Sequence, residues 1–218
     1  MPSKYPCEKT IAHLSSKNPV QKRVKTQLKE KAIRLGADDA CLLPVHVLQV
    51  KDHLANFCQK PYKCPSYGLC PGCPPHAMDP GQFRLLVQSC DEVLVFKINV
   101  SMSDLRGKER PVSARRIHEI SAALERFMLT ITSCRAYGYA AGSCKELFCA
   151  AVDVCPVLEK KAPCLHPLVA RPSLSAVGVD FTALAQAAAW PFAPEGIRDD
   201  ATSILMGMLA GFVLIKDK

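Results

Sequence analysis

The chain has 218 residues, 49% of them hydrophobic and 22% charged, a balance that excludes a disordered protein and leaves enough length for one domain, residues 1–218, with a core of its own. The opening Met-Pro-Ser-Lys-Tyr-Pro-Cys lacks the apolar centre of a signal peptide, and no apolar stretch reaches the roughly 20 residues of a membrane span, so a cytoplasmic protein without a span is expected. The formal charge is +8, and twelve cysteines in a chain without a secretion signal point to metal or redox chemistry before disulfides.

Residues 1–17 are polar, with Cys7 isolated. Val20, Val24, Leu28, Ala32 and Ile33 recur at helical spacing, with lysines and arginines over the remaining surface. They predict a basic amphipathic helix that Gly36 ends as a C-cap. Residues 40–43 read as a short buried strand. Residues 58–80 read as a loop: six prolines and two glycines exclude regular hydrogen bonding yet can build a rigid pocket. A helix over 82–88, a strand over 93–98 and a charged linker over 104–110 follow.

Ser113 is the expected N-cap of the longest helix, whose apolar face runs through Ile117, Ile120, Leu124, Phe127, Met128 and Ile131. Residues 136–141 predict a strand, and Asp180 is the expected cap of a helix through Ala189 that Trp190-Pro191 stops. Residues 205–215 predict a last strand paired with 93–98. The expected fold is α/β or α+β, a sheet of about four strands packed with helices and cysteine-rich loops at one end.

Eight cysteines fall in two groups. The downstream cradle, residues 142–180, carries Cys144-x4-Cys149-x5-Cys155-x8-Cys164, and the upstream loop carries Cys58-x5-Cys64-x5-Cys70-x2-Cys73. Four soft thiolates in one loop system suit zinc or an iron–sulfur cluster. The downstream set lacks the paired Cys-x2-Cys of zinc knuckles and the tight run of a ferredoxin, so cluster type and zinc stay open. His76 and His166 are candidate replacement ligands or neighbours, and Arg171 could tune a negative centre or hold a substrate anion. Thiolate ligation of two four-iron clusters would lower the net charge to about +4, so no nucleic-acid partner is expected from charge. Cys41, Cys90 and Cys134 read as small hydrophobes at element ends.

Several segments together resemble the predicted metal-binding proteins of domain-of-unknown-function family 2284. They are Leu35-Gly36-Ala37-Asp38-Asp39-Ala40; Cys64-Pro65-Ser66-Tyr67-Gly68 leading to Cys73-Pro74-Pro75-His76; Gly142-Ser143-Cys144; Cys164-Leu165-His166-Pro167 with Ala170-Arg171-Pro172-Ser173; and Ala176-Val177-Gly178-Val179-Asp180. The resemblance implies metal binding of iron–sulfur type in proteins common among anaerobes, with no assigned reaction. Ser143 stands where the pattern would have proline, and Ser175 where it would have an acidic residue.

The expected function is therefore [4Fe–4S] cluster binding in electron transfer or in a small reductase. In that reading the basic first helix would meet an acidic partner of flavodoxin or ferredoxin type. The alternatives are an enzyme using a cluster with an open iron site, and a structural zinc protein. Oligomeric state is not encoded in these patterns.

Overall fold

A computed structural model describes residues 19–59, 61, 63–131, 134–160 and 162–216. The N-terminal stretch with Cys7 lies outside them, as does the side chain of Val20 in the first helix. In order, the elements are α1 (Pro19–Arg34), β1 (Asp39–Pro44), α2 (Asp52–Asn56), α3 (Pro80–Gln88), β2 (Glu92–Ser101), α4 (Met102–Arg106), α5 (Arg110–Ile131), β3 (Arg135–Tyr139), α6 (Cys144–Phe148), α7 (Phe181–Ala187), β4 (Ile197–Arg198) and β5 (Leu205–Lys216). They build one antiparallel sheet in the order β1-β2-β5-β3, with β4 also paired to β5.

Period-two alternation of side chains explains why the central strands are apolar on both sides. Cys41, Leu43, Val93, Val95, Phe212 and Leu214 point to a core shared with α3 and α7. Their neighbours Ala40, Leu42, Leu94, Phe96, Val213 and Ile215 point to the opposite core, shared with α1 and α5. The sheet is thus the middle layer of three. The expected pairing of the last strand with β2 is present over ten residue pairs, from Glu92↔Ile215 to Ser101↔Met206.

Local signals set most boundaries. Gly36 takes φ +99° after α1, the left-handed conformation that glycine reaches without a side-chain clash. The helix expected at 82–88 starts earlier, at Pro80, because Asp79 and Gln82 form a reciprocal capping box: Gln82 N donates to Asp79 Oδ1 at 2.8 Å and Asp79 N to Gln82 Oε1 at 3.2 Å. Asp180 caps α7 by accepting from Ala183 N at 3.1 Å.

Ser113 is not an N-cap, since α5 already starts at Arg110. Of the linker expected over 104–110, residues 104–106 belong to the short helix α4, capped by Ser101, and only 107–109 are a turn. Cys90 is buried as expected and Cys134 is half-buried; Cys41 is buried too, but as a disulfide-bonded cysteine and not as a free small hydrophobe.

Between α2 and α3, and again between α6 and α7, the described chain runs through turns. These two stretches hold all eight grouped cysteines or, for Cys144, begin beside it. They meet next to β3. Ala140 N donates to Pro172 O and Leu174 N to Ala140 O, both at 2.9 Å, while Ser173 N donates to Gly72 O at 3.1 Å. A Cβ on Gly72 would sit 3.0 Å from Pro172 Cα, a tight approach that favours glycine at this crossing.

Candidate metal centre

The three joined segments surround two cavities. The inner one, about 230 Å³, is lined by Cys70, Cys144, Cys149, Cys155 and Cys164, with Phe148, Pro156 and Leu165 among its apolar walls. The outer one, about 790 Å³, is lined by Cys58, Cys64 and Cys73 together with Ser143, Lys145 and Ser175. His166 and Arg171 lie on the inner cavity. His76 is exposed and lines neither.

Cys70 is in contact with both Cys73 and Cys144 where the cavities adjoin. The Cys144 and Cys73 thiols donate towards Cys70, whose Sγ is also 3.4 Å from Ser143 Oγ and near the Lys145 main-chain N–H. These donors hold Cys70 far below the ordinary thiol range. Sharing with Cys70, followed by burial, pushes Cys73 and Cys144 up. Burial, then the nearby Cys64, raises Cys58; burial, then Cys164 and Cys155, raises Cys149. Thiols that resist losing protons side by side are what a multivalent cation reverses, because ligation removes the protons and supplies the missing positive charge.

The loop after Cys164 is fastened to α5. Arg171 makes a two-point ion pair with Glu125, Nε to Oε2 and Nη2 to Oε1, each at 3.1 Å, and its Nη1 donates to the carbonyls of Pro167 at 3.1 Å and Ala170 at 2.6 Å. The Arg171 side chain is only 9% exposed, so its donors serve the loop. Glu125 also accepts from Gly138 N, which ties β3 into the same clamp. Beside it, His118 accepts from Arg171 N through Nδ1 at 3.1 Å. Its Nε2 is buried near the Ala141–Gly142 backbone without a full hydrogen bond. Burial above all lowers the His118 pKa to about 4, and the ring is neutral at physiological pH.

Phe148 ties the inner cavity to these groups. Its ring lies 5.5 Å from that of His118 and 5.7 Å from that of His166, with the Arg115 guanidinium 4.8 Å above it. Sequence reasoning read α5 as structural and passed over His118, Ser121 and Glu125. Their spacing, i, i+3 and i+7 beside an apolar stripe, is the signal of a polar seam facing the cysteine loops.

Among the described residues, no three Cys, His, Asp or Glu side chains already converge as a single ion requires. The donor set fits a polynuclear group better: five thiols distributed around one cavity offer soft ligands on several sides of a centre larger than one ion. Also among the described residues, no helix is long and apolar enough to cross a membrane.

No curated protein and no solved structure matches the chain. The model of domain-of-unknown-function family 2284, described as predicted metal-binding protein, matches residues 41–212. That span takes in most of β1, all eight grouped cysteines, the Arg171 clamp and most of β5, and the chain belongs to this family of predicted metal-binding proteins.

Proposed function

We propose that the protein is an iron–sulfur protein carrying [4Fe–4S] clusters and serving in electron transfer or as a small reductase component. The observation that carries this reading is the ring of five cysteines around the inner cavity. Cys144, Cys149, Cys155 and Cys164 are the downstream candidate ligands, and Cys70 joins them on the same wall. A bound cluster would supply one-electron chemistry; the rest is the work of the chain.

Phe148, Pro156 and Leu165 make part of the inner wall apolar. The His166 main-chain N–H lies 3.4 Å from Cys164 Sγ, and a hydrogen bond of this kind to a ligand sulfur favours the reduced state. Lys145, whose Nζ is held by the carbonyls of Cys149 and Val152, adds positive charge beside both cavities. An acidic flavodoxin- or ferredoxin-type protein suits the basic surface of α1, where Lys31 and Arg34 lie in the last turn. Free thiol ligands of this kind belong in a reducing compartment such as the cytoplasm.

Iron, acid-labile sulfide and zinc per chain, measured on protein purified without oxygen, test the reading. About eight iron and eight sulfide, with a visible spectrum that bleaches on dithionite, are expected for two clusters. A colourless protein holding one or two zinc ions would overturn it and make the loops structural zinc staples.

A further inference from the structure

The four upstream cysteines divide between the two cavities, with Cys70 and Cys73 touching where the cavities adjoin. Cys58, Cys64 and Cys73 line the outer cavity, whereas Cys70 lines the inner one. The separation is built into one tight turn: Cys73 N donates to Cys70 O at 3.2 Å, and Gly72 between them is pressed against Pro172. Cys64 is near both other outer thiols. Its main-chain N donates to Cys58 O at 2.9 Å. The outer cavity therefore meets three thiols, and the inner one five.

Resting on the iron–sulfur reading above, we infer that Cys58, Cys64 and Cys73 hold a second cluster through three thiolates only. Its fourth metal position opens on the outer cavity, which receives a small oxygen-donor anion of the carboxylate class. An iron without a fourth thiolate is a Lewis acid with a vacant coordination site, and oxygen donors suit it. The cavity wall selects for charge. Arg110 pairs with Glu146 at 3.5 Å and Asp180 with Lys51 at 2.6 Å, while the Lys145 ammonium is held by main-chain carbonyls and not by a carboxylate. Ser143 and Ser175 add hydroxyls to the wall without adding negative charge.

Three variants and one oxidation test this, on protein purified without oxygen. Cys64→Ser should remove the outer centre and Cys155→Ser the inner one, each lowering iron by about half. These two losses identify which electron paramagnetic resonance signal belongs to which centre. Cys70→Ser should alter the inner signal and leave the outer one as in the wild type. Brief treatment with ferricyanide should take one electron and release one Fe²⁺ from the outer centre, leaving a three-iron form. That form should appear in the wild type and in Cys155→Ser and be missing in Cys64→Ser. In protein not treated with ferricyanide and reduced with dithionite, where the fourth iron is still in place, glycolate should shift the outer signal alone.

If Cys70→Ser and Cys64→Ser abolish the same centre, or ferricyanide releases no iron from the wild type, the three-thiolate site is overturned while the iron–sulfur reading stands. An outer signal unmoved by glycolate overturns the carboxylate class. Absence of iron and sulfide from the wild type is instead the failure of the iron–sulfur reading itself.

Discussion

The sheet and the cysteine loops are two regions of one chain held together by different forces. In the sheet, β2 and β5 pair over ten residues, and every second side chain enters one of two apolar cores. In the loops, the described chain between α2 and α3 makes only turns, and α6 has five residues. Leu174, Val177 and Val179 anchor the end of the downstream loop in the core, and what holds the cysteine-bearing parts is polar: Glu125 on Arg171, His118 on the Arg171 N–H, and Ser143 against Cys70. Apolar burial is non-directional and does not depend on metal, whereas a polar cradle keeps its shape only while each partner is present. The sheet should therefore be the stable frame and the loops the responsive part.

The largest effect should come from the frame. Phe212 is fully buried, stacks on Tyr139 at a ring separation of 5.0 Å and lies 6.3 Å from the Phe83 ring. Phe212→Ala should cost about 3–5 kcal/mol of unfolding free energy in denaturant, from lost transfer energy and the cavity left behind. Metal per folded chain should be unchanged. Metal loss at denaturant concentrations where the sheet persists would show the regions to be more independent still; simultaneous loss would erase the distinction.

A smaller effect, confined to acid, should come from the seam between the regions. His118 is buried and neutral with a pKa of about 4, below the ordinary histidine value near 6.5. Between those values the unfolded chain binds a proton that the folded chain does not, so stability should fall as pH drops through that window and level off below it. The full difference is about 3 kcal/mol. His118→Gln should remove this slope. The measurement is the difference in unfolding free energy between wild type and variant at pH 7.5 and pH 4.5, which cancels acid effects common to both. A difference independent of pH would mean that the imidazole binds its proton in the fold as it does in the unfolded chain, and a slope of opposite sign that the fold keeps it protonated.

The sequence makes these regions legible to different degrees. The strands at 93–98 and 205–215 are apolar runs bounded by turn residues, and both appear with extended ends as β2 and β5. The Asp180 cap and the Gly36 stop carry their own local chemistry and are in place. β4, two residues long, has no period to detect. The start of α5 was hidden because an acceptable cap, Ser113, lies inside the helix.

The cysteine spacing brings eight thiols into two loops, but spacing carries no side-chain direction at a tight turn. Cys70 and Cys73, three positions apart, consequently face different cavities. The partners of Arg171 were invisible for a related reason. Glu125 lies 46 residues away, and only the packing of α5 beside β3 brings the two together.

The smallest effect should come from Asp180, where the two regions are joined at the outer cavity wall. Its Oδ1 caps α7, its Oδ2 lies 2.6 Å from Lys51 Nζ, and its own N–H donates to Gln49 O. Lys51 first, then the N–H groups of Ala183 and Thr182, hold its carboxyl below the ordinary range. Its contribution is therefore present above the ordinary carboxylate pKa and lost as pH falls through the folded value. Asp180→Ala should cost about 1 kcal/mol at neutral pH, the usual worth of an N-cap. Asp180→Asn keeps a capping oxygen and removes the charge; because Lys51 is partly exposed, that pair should be worth well under the cap itself. Thermal unfolding of the three proteins separates the two contributions. If Asn proves as damaging as Ala, the Lys51 ion pair rather than the cap joins the outer cavity to the sheet, and the boundary between the regions is electrostatic.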